Sequence, residues 1–240
     1  MKTISLLSML LLCLTLVTSC IKDDPSAEPE PTSLKIGLVA HFPLNGNADD
    51  IGTSGLKGIV TGTTIDSDRF GKPAGAYYFD GEDDIILYDK PELLGLGGRN
   101  PYTMSVWVKP EYQDKTSHII SKFNGGISAG WYVGINKDSV SQSYRNAEPW
   151  ATYGTTQINF DKYVHLLTIY DGVNLMTYVN GELDSSTAFF SHPNDVKTRI
   201  VIGGLYSRNV INATFKGSID DIRIYNRVLE AEEIEWLVKH

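Results

Sequence analysis

The chain has 240 residues, enough for one all-β domain whose core needs no covalent staples. Its formal charge is −8, and no cluster of Lys and Arg forms a stripe. That excludes nucleic acid as a partner and a domain held on anionic lipid by charge, because both need concentrated positive charge.

Met1 to Ser19 carries one positive charge, Lys2, ahead of an apolar run from Ile4 to Val17. This is the layout of a secretory signal, too short at its apolar core for a membrane span. Val17-Thr18-Ser19-Cys20 resembles the lipobox of bacterial lipoproteins, which implies cleavage before Cys20 and acylation of its thiol; an ordinary signal with a chance cysteine is the alternative. Cys13 leaves with the signal, so the mature domain has no thiol pair for a disulfide or a cysteine metal site. Removing Lys2 takes the basic count from 21 to 20 against 29 acidic residues, a charge of −9. Ile21-Lys22-Asp23-Asp24 resembles the surface-export signal of some Gram-negative outer-membrane lipoproteins, and a solvated linker is the bland alternative. Pro25 to Ser33 mixes Pro with Glu and Ser and reads as an extended tether. The chain thus divides into a signal (1–19), a lipidated Cys20 with its tether (20–33) and a domain (34–240).

Within the domain, Leu38–Leu44 reads as a first strand, followed by an oxygen-rich loop from Asn45 to Asp50. Gly58–Ile65 gives a weak strand, Gly75–Asp80 a better one, and Asp84–Tyr88 its expected partner. Tyr102–Lys109 alternates strongly, with Met104, Val106 and Val108 on one face and Thr103, Ser105 and Trp107 on the other, before Pro110 stops it. Ser117–Phe123, Gly130–Ile135, Ser139–Tyr144 and Glu148–Tyr153 follow. Tyr163–Tyr170 runs into Asp171-Gly172, and Asn174–Val179 into Asn180-Gly181, two hairpin signals that predict a three-stranded antiparallel meander. Arg199–Gly203 is a buried strand. Thr214–Tyr225 is the last long one, with Gly217 marking a bulge or a close approach. Ile234, Leu237 and Val238 recur at helical spacing and predict one short C-terminal helix on the sheet. About a dozen short, turn-punctuated strands with no βα alternation point to a sandwich.

Four stretches occur in order: Tyr78 to Asp84 (YFDGEDD), Thr103 to Pro110 (TMSVWVKP), Leu175 to Gly181, and Phe215 to Arg227 (FKGSIDDIRIYNR). Together they resemble the bacterial LamG-like branch of the concanavalin A-like lectin/glucanase superfamily. The resemblance implies an all-β jelly-roll sandwich of two antiparallel sheets. It also implies carbohydrate or protein ligands, often with calcium, and glycoside hydrolysis in some members; fold alone does not choose among these.

Hydrolysis needs two carboxyls flanking the bond, about 5–9.5 Å apart. The Glu-x-Asp-x-Glu triplet typical of the superfamily's hydrolases is missing. Asp220 and Asp221 are adjacent, so on a regular strand they face opposite ways and cannot serve one substrate. Arg223, two residues beyond Asp221, is its ready partner. None of the five histidines stands at ligand spacing to another. Calcium needs six to eight oxygens, which loops supply. If the first and last strands are neighbours, Asp50 and Asp221 meet and could hold a structural ion; a solvated Asp/Asn turn explains the same residues. Ser139–Gly154 interleaves aromatics with Ser, Gln, Arg and Asn. Trp131, Tyr144, Arg145, Trp150 and Tyr153 are therefore candidates for stacking and hydrogen-bonding a sugar, or for capping the sandwich edge. The expectation is a non-catalytic glycan-binding module on a surface lipoprotein. An adhesive protein–protein module is the alternative, and a hydrolase comes third.

Overall fold

A computed structural model describes residues 29–90, 94, 96, 98–123, 130–137, 140–145, 151–189, 197–207 and 210–240. The signal, Cys20, most of the tether and Trp150 lie outside the described residues, and of Tyr144 and Arg145 only the backbone is described.

Two antiparallel sheets form a jelly-roll-type sandwich. One sheet runs edge to edge through β13 (Glu182–Ala188), β12 (Asn174–Val179), β11 (Val164–Tyr170), β6 (Tyr102–Pro110), β17 (Lys216–Tyr225), β4 (Ala76–Asp80) and β3 (Thr64–Asp66), with β1 (Leu38–Phe42) also paired to β17. The other runs through β10 (Ala151–Gln157), β9 (Val140–Arg145), β8 (Gly130–Asn136), β7 (Ser117–Phe123), β14 (Ile200–Ile202), β5 (Ile85–Tyr88) and β2 (Ile59–Thr61). A separate hairpin, β15 (Leu205–Ser207) and β16 (Val210–Asn212), packs by β15 on β7.

The alternation of β6 sets the layering. Met104, Val106 and Val108 enter the core between the sheets. Thr103 and Ser105 are buried on the opposite face, beneath the helix α1 (Ala231–Lys239), and Trp107 Nε1 donates to the Leu237 carbonyl at 3.2 Å. Helix α1 begins with a reciprocal cap between Glu230 and Glu233. Its apolar stripe, Ile234 and Leu237, closes a second cluster with Leu34, Leu167, Ile169, Tyr225 and Leu229. The central strands β6, β11 and β17 are therefore covered on both sides, and residues of both their faces are buried.

The meander stands as the turns require. Asn180 and Gly181 take φ of 51° and 85°, the two left-handed positions of a tight hairpin. Gly217 does mark a close approach, since a Cβ there would lie 2.2 Å from the Lys109 carbonyl oxygen. Three expectations are corrected. β4 and β5 belong to different sheets, because the turn after Asp80 crosses from one layer to the other and alternation cannot distinguish that from a hairpin. The weak strand at 58–65 splits into β2 and β3, one in each sheet. Pro110 closes β6 from inside it, opposite Gly217.

Candidate functional site: a charged cavity beside the bulge of β17

β17 pairs regularly with β6 up to Asp220, then shifts register before Arg223. Asp221 sits at the shift with φ 46°, a left-handed conformation that Asp tolerates better than most residues. Ile219 and Ile222 both enter the core although three residues apart. The extra residue leaves Asp220 and Asp221 consecutively on the outer face. This overturns the expectation that adjacent carboxylates must diverge: a bulge cancels the two-residue period at that point.

The two carboxylates meet one guanidinium. Arg69 Nη1 donates to Asp220 Oδ2 at 2.6 Å and Nη2 to Asp221 Oδ2 at 3.2 Å. Arg69 is presented by a turn in which Asp68 Oδ1 accepts the backbone N–H groups of Phe70 (2.9 Å) and Lys72 (2.8 Å). From β1, His41 Nε2 lies 2.6 Å from Asp221 Oδ1, and Arg223 Nε donates to the same oxygen at 3.2 Å. Arg223 also pairs with Glu30, and Arg69 bonds the His240 carbonyl, so both ends of the described chain close on this cluster.

Burial pushes Asp220 up to about 7 against the pull of Arg69. Burial also opposes the charge of Asp221, but Arg223, His41 and Arg69 outweigh it and hold that carboxyl far below the usual range. Beside the cluster opens a cavity of about 240 Å³. Asn45, Ile51, Asp68, Phe70 and Lys72 line it around the Arg69–Asp220–Asp221 floor. Phe70 is 49% exposed and stacks on Arg69, whose guanidinium carbon lies 4.7 Å from the ring centre.

Asp50 and Asp221 do come to the same neighbourhood, on the backbone and the ring of His41 respectively. They do not fit a calcium ion. Asp50 accepts from His41 N, Gly52 N, Ser54 Oγ and Gly55 N, at 2.6–2.8 Å, and so serves to shape its own loop. Asp221 faces two guanidiniums and an imidazole, an environment that repels a cation. Among the described residues, Asp80, Asp83 and Asp84 form an acidic group with ligand atoms within 4.8 Å of one another. One oxygen of Asp84 there accepts the backbone N–H of Asp80 at 2.9 Å.

The expected sugar-stacking set is not one surface. Trp131 is 2% exposed and packs in the inter-sheet core, a correction that follows from its pairing opposite the inward-facing Lys122. Tyr153 is 53% exposed on the edge strand β10, in the layer opposite the cavity. The backbone of Tyr144 pairs with Tyr132 and Ala151, and that of Arg145 with Trp131. Sequence reasoning missed His41, Arg69, Phe70 and Lys72, which lie in no recognisable pattern. The one available signal was two consecutive acids inside an apolar strand, a pair that demands nearby cations.

A family model described as Concanavalin A-like lectin/glucanases superfamily matches residues 58–235, and the chain belongs to that superfamily. No curated protein matches the sequence. Among solved structures, domain 4 of AbnA, a GH43 extracellular arabinanase from Geobacillus stearothermophilus, in complex with arabinotriose, is similar at TM-score 0.65 and 23% identity. That match covers 84% of this chain and 98% of the domain. The binding domain of Paraclostridial Mosquitocidal Protein 1 is similar at TM-score 0.69 and 18% identity, over 85% of this chain and 52% of that one. The ligand binding domain of botulinum neurotoxin serotype D in complex with N-acetylneuraminic acid is similar at 0.67 and 15%, over 86% and 52%. This chain therefore spans about half the length of the two toxin domains, and at these identities the likeness is one of fold.

Proposed function

We propose that the protein is a non-catalytic, lectin-like carbohydrate-binding module and that the cavity beside Phe70 is its sugar site. The observation that carries this reading is an exposed aromatic face beside a pocket whose polar groups are already fixed by one another. A sugar ring offers C–H faces to an aromatic and hydroxyls to fixed donors and acceptors. Two structural neighbours whose bound ligands are named, arabinotriose and N-acetylneuraminic acid, support the ligand class. Hydrolysis is disfavoured because Asp220 and Asp221 face one guanidinium from the same side, with side chains 3% and 9% exposed, rather than flanking a bond.

A glycan array probed with wild type, Phe70→Ala and Tyr153→Ala tests the reading. Binding lost only in Phe70→Ala supports it. Loss only in Tyr153→Ala moves the site to the other layer, and silence of the wild type overturns it. Sugars released from polysaccharides would overturn the non-catalytic part.

The adhesive alternative has its own observation: Ile59 (53%), Val60 (39%) and Ile65 (48%) are exposed on the edge strands β2 and β3. Asp substitutions at Ile59 and Ile65 that abolish attachment to host proteins while sparing glycan binding would favour it.

The same proposal holds the domain at the outer-membrane surface by acyl chains on Cys20. Among the described residues no helix is long and apolar enough to cross a membrane. Loss of metabolic palmitate labelling in Cys20→Ser, with surface protease sensitivity of the wild type, is the expected result. Calcium at Asp50 and Asp221 is no part of the proposal.

A further inference from the structure

We infer that the cavity beside Phe70 accepts one neutral sugar ring and rejects glycans that carry carboxylates; this rests on the sugar-site reading above and names its ligand class. The volume of about 240 Å³ lies below the roughly 300–1,000 Å³ of drug-sized ligand sites, which suits a single ring and not an oligosaccharide. Its charged lining sets Asp68, Asp220 and Asp221 against His41, Arg69, Lys72 and Arg223. The two guanidiniums among them are already engaged. Arg69 is shared by both β17 carboxylates, and Arg223 is divided between Asp221 and Glu30. Neither guanidinium has charge to spare for an incoming anion. Glu30, just outside the lining, adds a further carboxylate on the side of Arg223. Lys72 is the one basic side chain of the lining with no ion pair among the described residues, and it stands on the exposed turn held by Asp68.

An anionic ligand entering here meets three acidic side chains, finds both guanidiniums already paired, and has only Lys72, on the exposed turn, as a counter-charge. A neutral ring has no such cost. Its apolar face lies on Phe70 beside the exposed Ile51, while its hydroxyls accept from Asn45 and Lys72 and donate to Asp68.

Isothermal titration with pairs in which methyl esterification removes the charge tests this: galacturonic acid methyl ester against galacturonate, glucuronic acid methyl ester against glucuronate, and methyl-esterified pectin against polygalacturonate. The neutral member of the preferred pair is expected to bind at least about tenfold more tightly, a gap that like-charge contact readily supplies. Asp68→Asn is expected to narrow that ratio, and Phe70→Ala to abolish binding of both members. Equal or tighter binding of the acidic member, or neutral binding unaffected by Phe70→Ala, overturns the inference while leaving a glycan-binding protein. Absence of binding to every pair and to the wider array overturns the sugar reading beneath it.

Discussion

Asp220 and Asp221, neighbours in one strand, both bind Arg69, because Asp221 adopts a left-handed backbone and stands beside Asp220 instead of behind it. The bulge gathers β1, the β3–β4 turn, the arm at Glu30 and the C-terminal residue around one buried charge cluster.

Substitutions at the bulge should therefore rank by backbone as well as by charge. Arg69→Ala leaves two buried carboxylates without their shared partner and is expected to cost about 3–5 kcal/mol. Asp221→Asn keeps a residue that tolerates positive φ and should cost less than Asp221→Val, which adds about 1–2 kcal/mol of backbone strain to the lost charge. Urea unfolding midpoints give the order. Equal destabilisation by Asn and Val would mean that the left-handed residue is not what shapes the site.

Asp50 is expected to matter for its loop and not for a metal. Asp50→Ala removes four accepted hydrogen bonds, for an expected loss of about 2–4 kcal/mol. Thermal melts of wild type and variant should differ by the same amount in EDTA and in added calcium. A difference that vanishes in EDTA would return Asp50 to the role of a ligand.

Stability should fall as pH drops below about 6.5. Burial lowers His118 and His165 to about 3, so each is neutral in the fold while the unfolded chain takes a proton through 6.5. Each contributes stability that is present above the unfolded value and lost as pH falls towards the folded one. Asp220 works the other way between 3.8 and about 7, because its raised pKa lets the fold hold a proton that the unfolded chain releases. Two histidines against one carboxyl leave a net difference of one proton, roughly 1 kcal/mol per pH unit between 6 and 5, and Glu233, held down to about 2 by Arg227, adds to the loss below 4.5. His165→Gln should flatten that slope, read from guanidinium midpoints at stepped pH. A variant with the wild-type slope would show that this buried ring does not titrate on unfolding.

Trp131 and Phe70 should separate stability from binding. Trp131→Ala empties part of the inter-sheet core and is expected to cost about 3–5 kcal/mol. Phe70→Ala, at a half-exposed position, should change the melting midpoint little while removing the stacking face. Paired melts and titrations check this, and glycan affinity surviving Phe70→Ala would assign the ring to the surface alone.

Gly217 should refuse a side chain. Gly217→Ala forces a Cβ to 2.2 Å from the Lys109 carbonyl at φ 128°, in the middle of two strand pairings. It is expected to cost more than about 3 kcal/mol, against about 1 kcal/mol for Gly46→Ala, where φ is also positive but nothing lies within 4 Å. Hydrogen exchange of β6 and β17 would register the difference, and similar protection in both variants would contradict the close approach.

The residue pattern alone was enough for the element types and the inner face of β6, but not for which sheet β2, β3, β4 and β5 each join. Alternation in β6, the Asn180-Gly181 turn and the helical spacing of Ile234 and Leu237 are local patterns, each tied to one element's own geometry. They left the pairing of first and last strands as a condition, which β1 beside β17 meets. Tertiary structure alone decided which aromatics are available: Trp131 and Tyr153 look alike in sequence, but one strand is covered on its inner face and the other stops at an edge. It alone decided the site as well. His41, Arg69 and Asp221 are separated by up to 180 residues, and only the bulge, invisible to a strict two-residue period, turns adjacent carboxylates towards the same guanidinium.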